Sequence, residues 1–162
     1  MDDEHARLAG YRETVTAAVR AGAREDDPAL TAALVRDPEP MIGKTAVVEL
    51  VDQVAGGIAS AAEFRRWAAR ILPEADRLAG EQGRFVRQRV RDWEAWLDAA
   101  EGRVLSVAEL AGLSYSMQRR MAEFAGSAPV LRLLAEHGQA KKIRNIAANR
   151  LRSTEFTGPG RP

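Results

Sequence analysis

The sequence predicts an all-α fold of about seven to nine helices, arranged as stacked helical hairpins or as an irregular helical bundle. Apolar residues recur at spacings of three and four, and no segment alternates apolar and polar residues as a half-buried strand does. A weak repeat also relates residues 28–50 to residues 129–151, and each copy reads as a short helix, a turn and a longer helix. Five residues recur 101 positions further on: Pro28, Leu30, Ile42, Ala46 and Leu50 return as Pro129, Leu131, Ile143, Ala147 and Leu151.

Three helices are predicted in the first third of the chain. Their expected bounds are about 3–21, 28–37 and 41–55. Asp27 is a good cap for the second helix, and Pro28 then occupies its first position, where a missing N–H costs nothing. Pro38 and Pro40 force the turn that follows, because the residue before each proline is pushed out of the helical region. Gly56 is expected to end the third helix.

The middle of the chain predicts two clear helices with a further helical stretch over 74–80 between them. Ser60 and Glu63 match a capping box, in which each side chain satisfies the other's free backbone N–H. Pro73 should begin a new helix or kink this one. The second clear helix covers 85–100. The residues expected to be buried here are Phe64, Trp67, Ala68, Ile71, Val86, Val90, Trp93 and Leu97.

Four helices are predicted in the last third of the chain. Their expected bounds are about 106–112, 114–125, 129–136 and 141–153. Ser106 and Glu109 form a second capping box. Ser114 caps the next helix, in which Met117, Met121 and Phe124 are expected to face the core.

Length and composition favour a single soluble domain over residues 1–153, followed by a flexible tail over 154–162. The chain has no Cys and only two His, so disulfides and a zinc site built on Cys and His are excluded, and no cofactor is expected. The acidic start lacks the apolar core of a secretory signal, and no apolar run reaches the roughly 20 residues of a membrane span. We therefore expect a cytoplasmic protein without a membrane partner.

The net charge of +1 hides an asymmetry between the two ends of the chain. Residues 1–40 carry five Arg against nine acidic residues, whereas residues 132–162 carry seven basic residues against two acidic ones. A basic C-terminal end can attract an acidic partner, or the two ends can simply keep the protein in solution. Because nearly all the basic residues are Arg, as in proteins from GC-rich genomes, Arg content alone is poor evidence for nucleic-acid binding.

The residues offer no catalytic set, so we expect a protein that is not an enzyme. No Ser/His/Asp or Cys/His group can be assembled from His5 and His137. The Gly-Lys-Thr at 43–45 lacks the earlier Gly and the strand of a phosphate-binding loop. Glu74 and Asp76 do not share a helical face and so do not form an acid–base pair.

The two copies of the repeat, 28–50 and 129–151, resemble the helical hairpins of HEAT-like repeat proteins. The likeness lies in the short apolar helix, the polar or Pro-rich turn and the Ile-x-x-x-Ala-x-x-x-Leu helix. The resemblance implies hairpins that cover one another's apolar faces, and a role in binding other proteins without catalysis.

Residues 106–124 resemble a helix-turn-helix of the lac-repressor type. The segment has a small residue in its first helix, Gly in its turn and Ser at the start of its second helix. The resemblance implies that the second helix enters the major groove, with Tyr115, Ser116, Arg119 and Arg120 facing DNA. Gln118 departs from the pattern, because the family places a branched apolar residue there. The alternative interpretation is a capped helical hairpin within the core.

The last helix supplies a candidate interaction surface. Its members are Lys141, Lys142, Arg144, Asn145 and Arg152. These residues could neutralise phosphates or meet an acidic patch on another protein, and the alternative is a solvated C-terminal helix.

Three functions follow from the sequence, in order of preference. The first is a non-enzymatic adaptor that binds another protein, and the second is a DNA-binding regulator that uses residues 106–124 with the basic last helix. The third is a small-molecule-binding protein in which Trp67, Trp93 and Trp96 line a pocket; the same cluster could equally be core.

Overall fold

A computed structural model describes the backbone of residues 2–156 and the side chains of residues 3–153. Every regular element of this span is helical, which confirms the all-α prediction and the expected number of helices. Its α-helices are α1 (Asp2–Ala21), α2 (Asp27–Leu34), α3 (Pro40–Gly57), α4 (Ala61–Ala75), α5 (Gly80–Ala100), α6 (Val107–Ala111), α7 (Tyr115–Phe124), α8 (Ala128–His137) and α9 (Lys141–Phe156). Within the same span, none of the helices combines the length and the apolar character needed to cross a membrane.

Backbone contacts divide the chain into two compact units, and the division falls inside α5, between Arg91 and Asp92. Unit 1 contains α1 to α4 and the first part of α5, and unit 2 contains the rest of α5 and α6 to α9. A single domain over 1–153 stays a prediction.

Unit 1 is built from two helix pairs, in which α1 packs on α3 and α2 packs on α4. The pairing is not a simple succession of hairpins, because α2 packs more extensively on α4 than on α3. Its core consists of apolar residues at helical spacing: Val15, Leu34, Ala46, Val47, Leu50, Val51, Phe64, Trp67, Ile71 and Val86.

A buried carboxylate ties α1 to the turn between α2 and α3. Asp37 accepts hydrogen bonds from the Glu39 N–H at 2.8 Å, from the Tyr11 hydroxyl at 3.0 Å and from Arg7 Nε at 3.2 Å. Burial by itself raises the pKa of Asp37, but these hydrogen bonds and the charge of Arg7 outweigh it. The pKa of the carboxyl therefore lies below its ordinary value.

Asp27 does not cap α2, and that prediction is wrong. Residues 24–26 form a 3-10 turn that advances the helix start to Asp27, so Asp26 occupies the cap position. The buried Asp27 side chain instead accepts a hydrogen bond from Trp67 Nε1 at 2.8 Å and lies 3.2 Å from the Arg24 guanidinium. Burial raises the pKa of Asp27. Trp67, which also packs on the Phe64 ring, is thus a core residue of unit 1.

The predicted helical stretch over 74–80 is also wrong. Pro73 lies inside α4, two residues before the helix ends at Ala75, and it neither begins a new helix nor leads into one. Residues 76–79 form a turn, and α5 begins at Gly80, whose φ of +58° suits glycine. The helix predicted to begin at Phe85 therefore begins earlier and includes Gly83.

In unit 2, α9 packs on α8 and on α7, and both α6 and α7 pack on α8. Gly138 ends α8, as predicted, but for a steric reason: a Cβ there would lie 2.6 Å from the Leu134 carbonyl oxygen and 2.9 Å from Ile143 Cγ2. Glycine therefore lets α9 begin close to the end of α8. The core residues of unit 2 are Leu105, Leu110, Met117, Met121, Ala122, Val130, Leu131, Leu134, Ile143 and Ala147.

The helix caps agree with the sequence at three serines. Ser106 Oγ accepts from the Glu109 N–H at 3.1 Å, and the Glu109 carboxylate accepts from the Ser106 N–H at 2.7 Å, which completes the capping box. Ser60 and Ser114 each accept from the N–H three residues further on. Only half of the capping box predicted at Ser60 forms, because the Glu63 carboxylate does not accept from the Ser60 N–H. The Ser106 N–H and the Arg103 guanidinium lower the pKa of Glu109 to about 2.

The last helix is longer than predicted. α9 continues to Phe156, so the first three residues of the predicted tail over 154–162 have helical backbone. The rest of that tail, residues 157–162, lies outside the described residues.

Candidate functional site

Four of the five residues predicted as an interaction surface share one face of α9. At about 100° per residue, Lys141, Asn145 and Arg152 lie nearly in line, and Lys142 borders them within about a quarter of the helix circumference. All four are exposed. The opposite side of α9 carries Ile143 and Ala147, which are fully buried. These four residues form what we call the α9 cationic face.

The fifth residue, Arg144, is half-buried and has a partner within the fold. Its Nη1 donates a hydrogen bond to the Gly138 carbonyl at 2.7 Å, at the end of α8. Arg150 acts in the same way at the end of α7, where its Nη1 donates to the carbonyls of Ala122 at 3.2 Å and Ala125 at 2.8 Å. Both arginines supply donors to carbonyls left free at helix C-termini.

The two lysines of the α9 cationic face lie in the first turn of the helix, where cations are unfavourable. The helix dipole places partial positive charge at this end, and the first turn contains no acidic residue. Ala140, which precedes the helix, has no side-chain oxygen that could cap it. Among the described residues, no carboxylate pairs with either lysine. This end of α9 is therefore the most electropositive part of the helix.

The four predicted DNA contacts are all exposed on α7. The Arg119 guanidinium is held by an ion pair with Glu123, with Nε 2.8 Å from the carboxylate. The Arg120 guanidinium lies over the rings of Trp93 and Trp96, at 5.0 Å and 4.9 Å from their centroids. Tyr115 is 44% exposed, and Ser116 Oγ lies 3.1 Å from the Ser114 hydroxyl. The two arginines are therefore held by partners within the fold, and Tyr115 and Ser116 are the exposed side chains beside them.

Gln118, the departure from the helix-turn-helix pattern, is buried and joins three helices of unit 2. Its Nε2 donates to the Leu110 carbonyl in α6 at 2.8 Å, and its Oε1 accepts from the Gln139 N–H, just before α9, at 2.9 Å. The amide thus attaches α7 to α6 by hydrogen bonds, at the position where the family uses an apolar side chain. Gln118 as a whole is only 1% exposed.

Phe124 does not face the core, and that prediction is wrong: the residue is 65% exposed. The buried residues of α7 are Met117, Gln118, Met121 and Ala122, and the centre of this buried face lies about a quarter-turn away from Phe124.

Phe124 lies beside an apolar groove within unit 2. The groove, of about 660 Å³, lies between the end of α5 and the turn from α7 to α8. Trp96 and Phe124 supply its aromatic surface. Trp93 and Trp96 pack edge to face at 6.4 Å, with Trp93 buried and Trp96 half-buried at the groove. Trp93 is therefore a core residue, and Trp96 is the tryptophan that lines the groove.

Comparisons with protein-family models, curated proteins and solved structures find no match to this chain. The likenesses to HEAT-like hairpins and to the helix-turn-helix therefore stay predictions. Among the described residues, no group of His, Cys, Asp and Glu could hold a metal ion.

The arrangement can do two things chemically. The α9 cationic face can accept carboxylate or phosphate groups through two ammonium groups and a guanidinium, with the Asn145 amide beside them. The groove can take an apolar body. Neither surface presents a nucleophile oriented by a base.

Proposed function

We propose that this protein is a non-enzymatic partner-binding module that holds an acidic segment of another protein on the α9 cationic face. The observation that carries the proposal is the position of Lys141 and Lys142 in a first helical turn without acidic residues. Each lysine there costs about 0.3–1 kcal/mol against the helix dipole. Local rules of helix design are broken in this way mainly where function requires it.

An acidic segment would reverse this cost. Its carboxylates would pair with the lysines and lie near the free N–H groups of the first turn, so the dipole would favour the bound anion. Asn145 and Arg152 extend the surface along the same face by about 16 Å, at 1.5 Å per residue. A short acidic peptide in an extended conformation spans that length in about five residues.

The described contacts favour a protein over duplex DNA as the partner. Of the four predicted DNA contacts on α7, Arg119 is already paired with Glu123. Glu123 lies on the same face of the helix and would repel phosphates. DNA reading by α7 would therefore have to break the ion pair of Arg119 and bring phosphates close to the Glu123 carboxylate.

Fluorescence anisotropy with a labelled oligo-glutamate peptide tests the proposal. The wild-type chain should bind this peptide in a salt-sensitive manner and should not bind oligo-glutamine of the same length. Lys141→Gln combined with Lys142→Gln should weaken binding roughly three- to tenfold, since each exposed ion pair is worth up to about 1 kcal/mol. The matched control is Arg66→Gln with Arg70→Gln, which removes the same charge from exposed positions of α4.

Thermal unfolding separates binding from stability in the same variants. The lysine double variant should unfold at the same temperature as the wild type or at a higher one, because two unfavourable dipole interactions are removed. Equal loss of peptide affinity in the lysine and the α4 variants would refute the proposal. Tight retardation of duplex DNA at ~50 mM salt, lost in Arg119→Gln with Arg120→Gln, would establish the DNA-binding alternative instead.

A further inference from the structure

The apolar groove of unit 2 is lined by large aromatic side chains and by small residues. Trp96 and Phe124 line it, together with Ala99, Ala100, Gly126 and Pro129. Its volume of about 660 Å³ lies within the range of pockets that hold small molecules. Small residues let a flat ligand approach the backbone closely, and the two aromatic rings provide apolar contact area.

Phe124 is the largest apolar surface left to solvent in this part of the chain. It is 65% exposed, although Met117 and Met121 on the same helix are buried. The exposed apolar surface of Phe124 is therefore removed from water only when a ligand occupies the groove.

Arg120 places a cation beside Trp96, one of the residues that line this groove. Its guanidinium lies 4.9 Å from the centroid of Trp96, a lining residue, and it is one helical turn before Phe124 on α7. Among the described residues, no carboxylate pairs with Arg120. By contrast, Arg119 is paired with Glu123 at 2.8 Å, and Arg103 is paired with Asp98 and Glu109 at 2.9 Å each.

The contacts of Arg120 hold its side chain in place without neutralising its charge. Cation–π contact with two rings orients the guanidinium, and its N–H donors remain able to bind an oxyanion. A ligand that places an aromatic body against Phe124 and Trp96 would bring an attached anionic group to this cation.

We propose that this groove binds small organic anions that have a flat aromatic body, with the anionic group on Arg120 and the body against Phe124 and Trp96. This site is separate from the α9 cationic face and does not rest on the proposed protein-binding function.

Two fluorescent probes with the same kind of apolar body test the proposal. 1-Anilinonaphthalene-8-sulfonate carries an anionic sulfonate, and N-phenyl-1-naphthylamine is its uncharged counterpart. Both should bind the folded wild-type chain and gain fluorescence. Phe124→Ala should weaken the binding of both probes about tenfold, whereas Arg120→Gln should weaken only the sulfonate by a similar factor. Arg120→Lys keeps the charge and should restore part of the sulfonate affinity.

The matched control is Phe85→Ala, which removes a second exposed aromatic ring, 50% exposed and covered by Lys44 in unit 1. This control should leave both affinities unchanged. Near-ultraviolet circular dichroism should stay native in all variants, so that the probes report a folded site. Unchanged sulfonate binding in Phe124→Ala would overturn the proposal. An equal loss of affinity for both probes in Arg120→Gln would also overturn the proposal, because Arg120 would then determine the shape of the groove without binding the anionic group.

Discussion

Replacing Gln118 with alanine should destabilise the C-terminal unit by about 2–4 kcal/mol. The residue is 1% exposed, and both ends of its amide are hydrogen-bonded to backbone groups, at 2.8 Å to the Leu110 carbonyl and at 2.9 Å to the Gln139 N–H. These two bonds connect α7 with α6 and with the start of α9. The substitution removes both bonds and leaves a cavity in their place.

The magnitude follows from what each backbone group loses. The Leu110 carbonyl still accepts a hydrogen bond from the Leu113 N–H at 3.0 Å, so the loss of the Gln118 donor costs it little free energy. The Gln139 N–H loses the acceptor that Gln118 provides, which costs about 1–3 kcal/mol if water does not replace it. The cavity from the missing side chain accounts for the remainder. Gln118→Met fills most of that space without the hydrogen bonds, and should therefore cost only about 1–2 kcal/mol.

Urea unfolding measured for both variants separates the two contributions. The difference in unfolding free energy between Gln118→Ala and Gln118→Met measures the cost of the cavity. The difference between Gln118→Met and the wild type measures the contribution of the hydrogen bonds. Gln139→Ala is the control, because it keeps the backbone N–H and changes only an exposed side chain; it should lie within about 0.5 kcal/mol of wild type. A Gln118→Met variant as stable as the wild type would show that the hydrogen bonds do not hold α6 against α7.

Three further changes have expected outcomes that unfolding experiments can check. Trp93→Ala should lower the free energy of unfolding by roughly 3–5 kcal/mol, because Trp93 is only 6% exposed and its replacement leaves a cavity in the core. An unchanged urea midpoint would contradict the burial of Trp93. Ser106→Ala should lower the free energy of unfolding by about 1 kcal/mol, because it removes half of the capping box of α6, a helix of five residues. Amide hydrogen exchange should then lose protection only in the region of α6, and a loss spread over other helices would contradict this local role. The folded-state pKa of Glu109, at about 2, lies below the ordinary value of 4.5, so its contribution is present above about pH 4.5 and is lost as the pH falls towards 2. Because the Glu109 side chain is 42% exposed, solvent screening limits this contribution to about 1 kcal/mol; Glu109→Gln should reduce the acid sensitivity, and an unchanged pH profile would contradict the assignment.

Features that depend on local sequence were predictable. The helix starts at Ser60, Ser106 and Ser114 were located by side chains that cap the helix they precede. The buried positions of α4 and α5 followed from apolar spacing: Trp67, Ile71, Val90, Trp93 and Leu97 are each buried, as expected.

Features that depend on neighbouring elements were not predictable in this way. Asp27 has every local attribute of a helix cap, but the 3-10 turn before it moves the cap position to Asp26. The Asp27 carboxylate instead accepts a hydrogen bond from the Trp67 indole N–H. Phe124 is apolar and lies near the end of an amphipathic helix. Its exposure follows from the direction in which α7 meets α8 and α9, which the sequence of α7 alone does not contain.

The basic residues of α9 show most clearly where sequence reasoning ends. Arg144 and Lys141 look alike in a charge pattern, and both were assigned to one interaction surface. The structure separates them because carbonyls at the C-terminus of α8 lie within reach of Arg144, whereas Lys141 has no acceptor among the described residues. Arg150 is likewise bound to the end of a neighbouring helix, α7, whereas Arg152 on the exposed face donates to the Asn149 side chain of its own helix. A basic residue therefore becomes a candidate for partner binding only after the free carbonyls of neighbouring helix ends have been located, and that requires the packing of the helices in three dimensions.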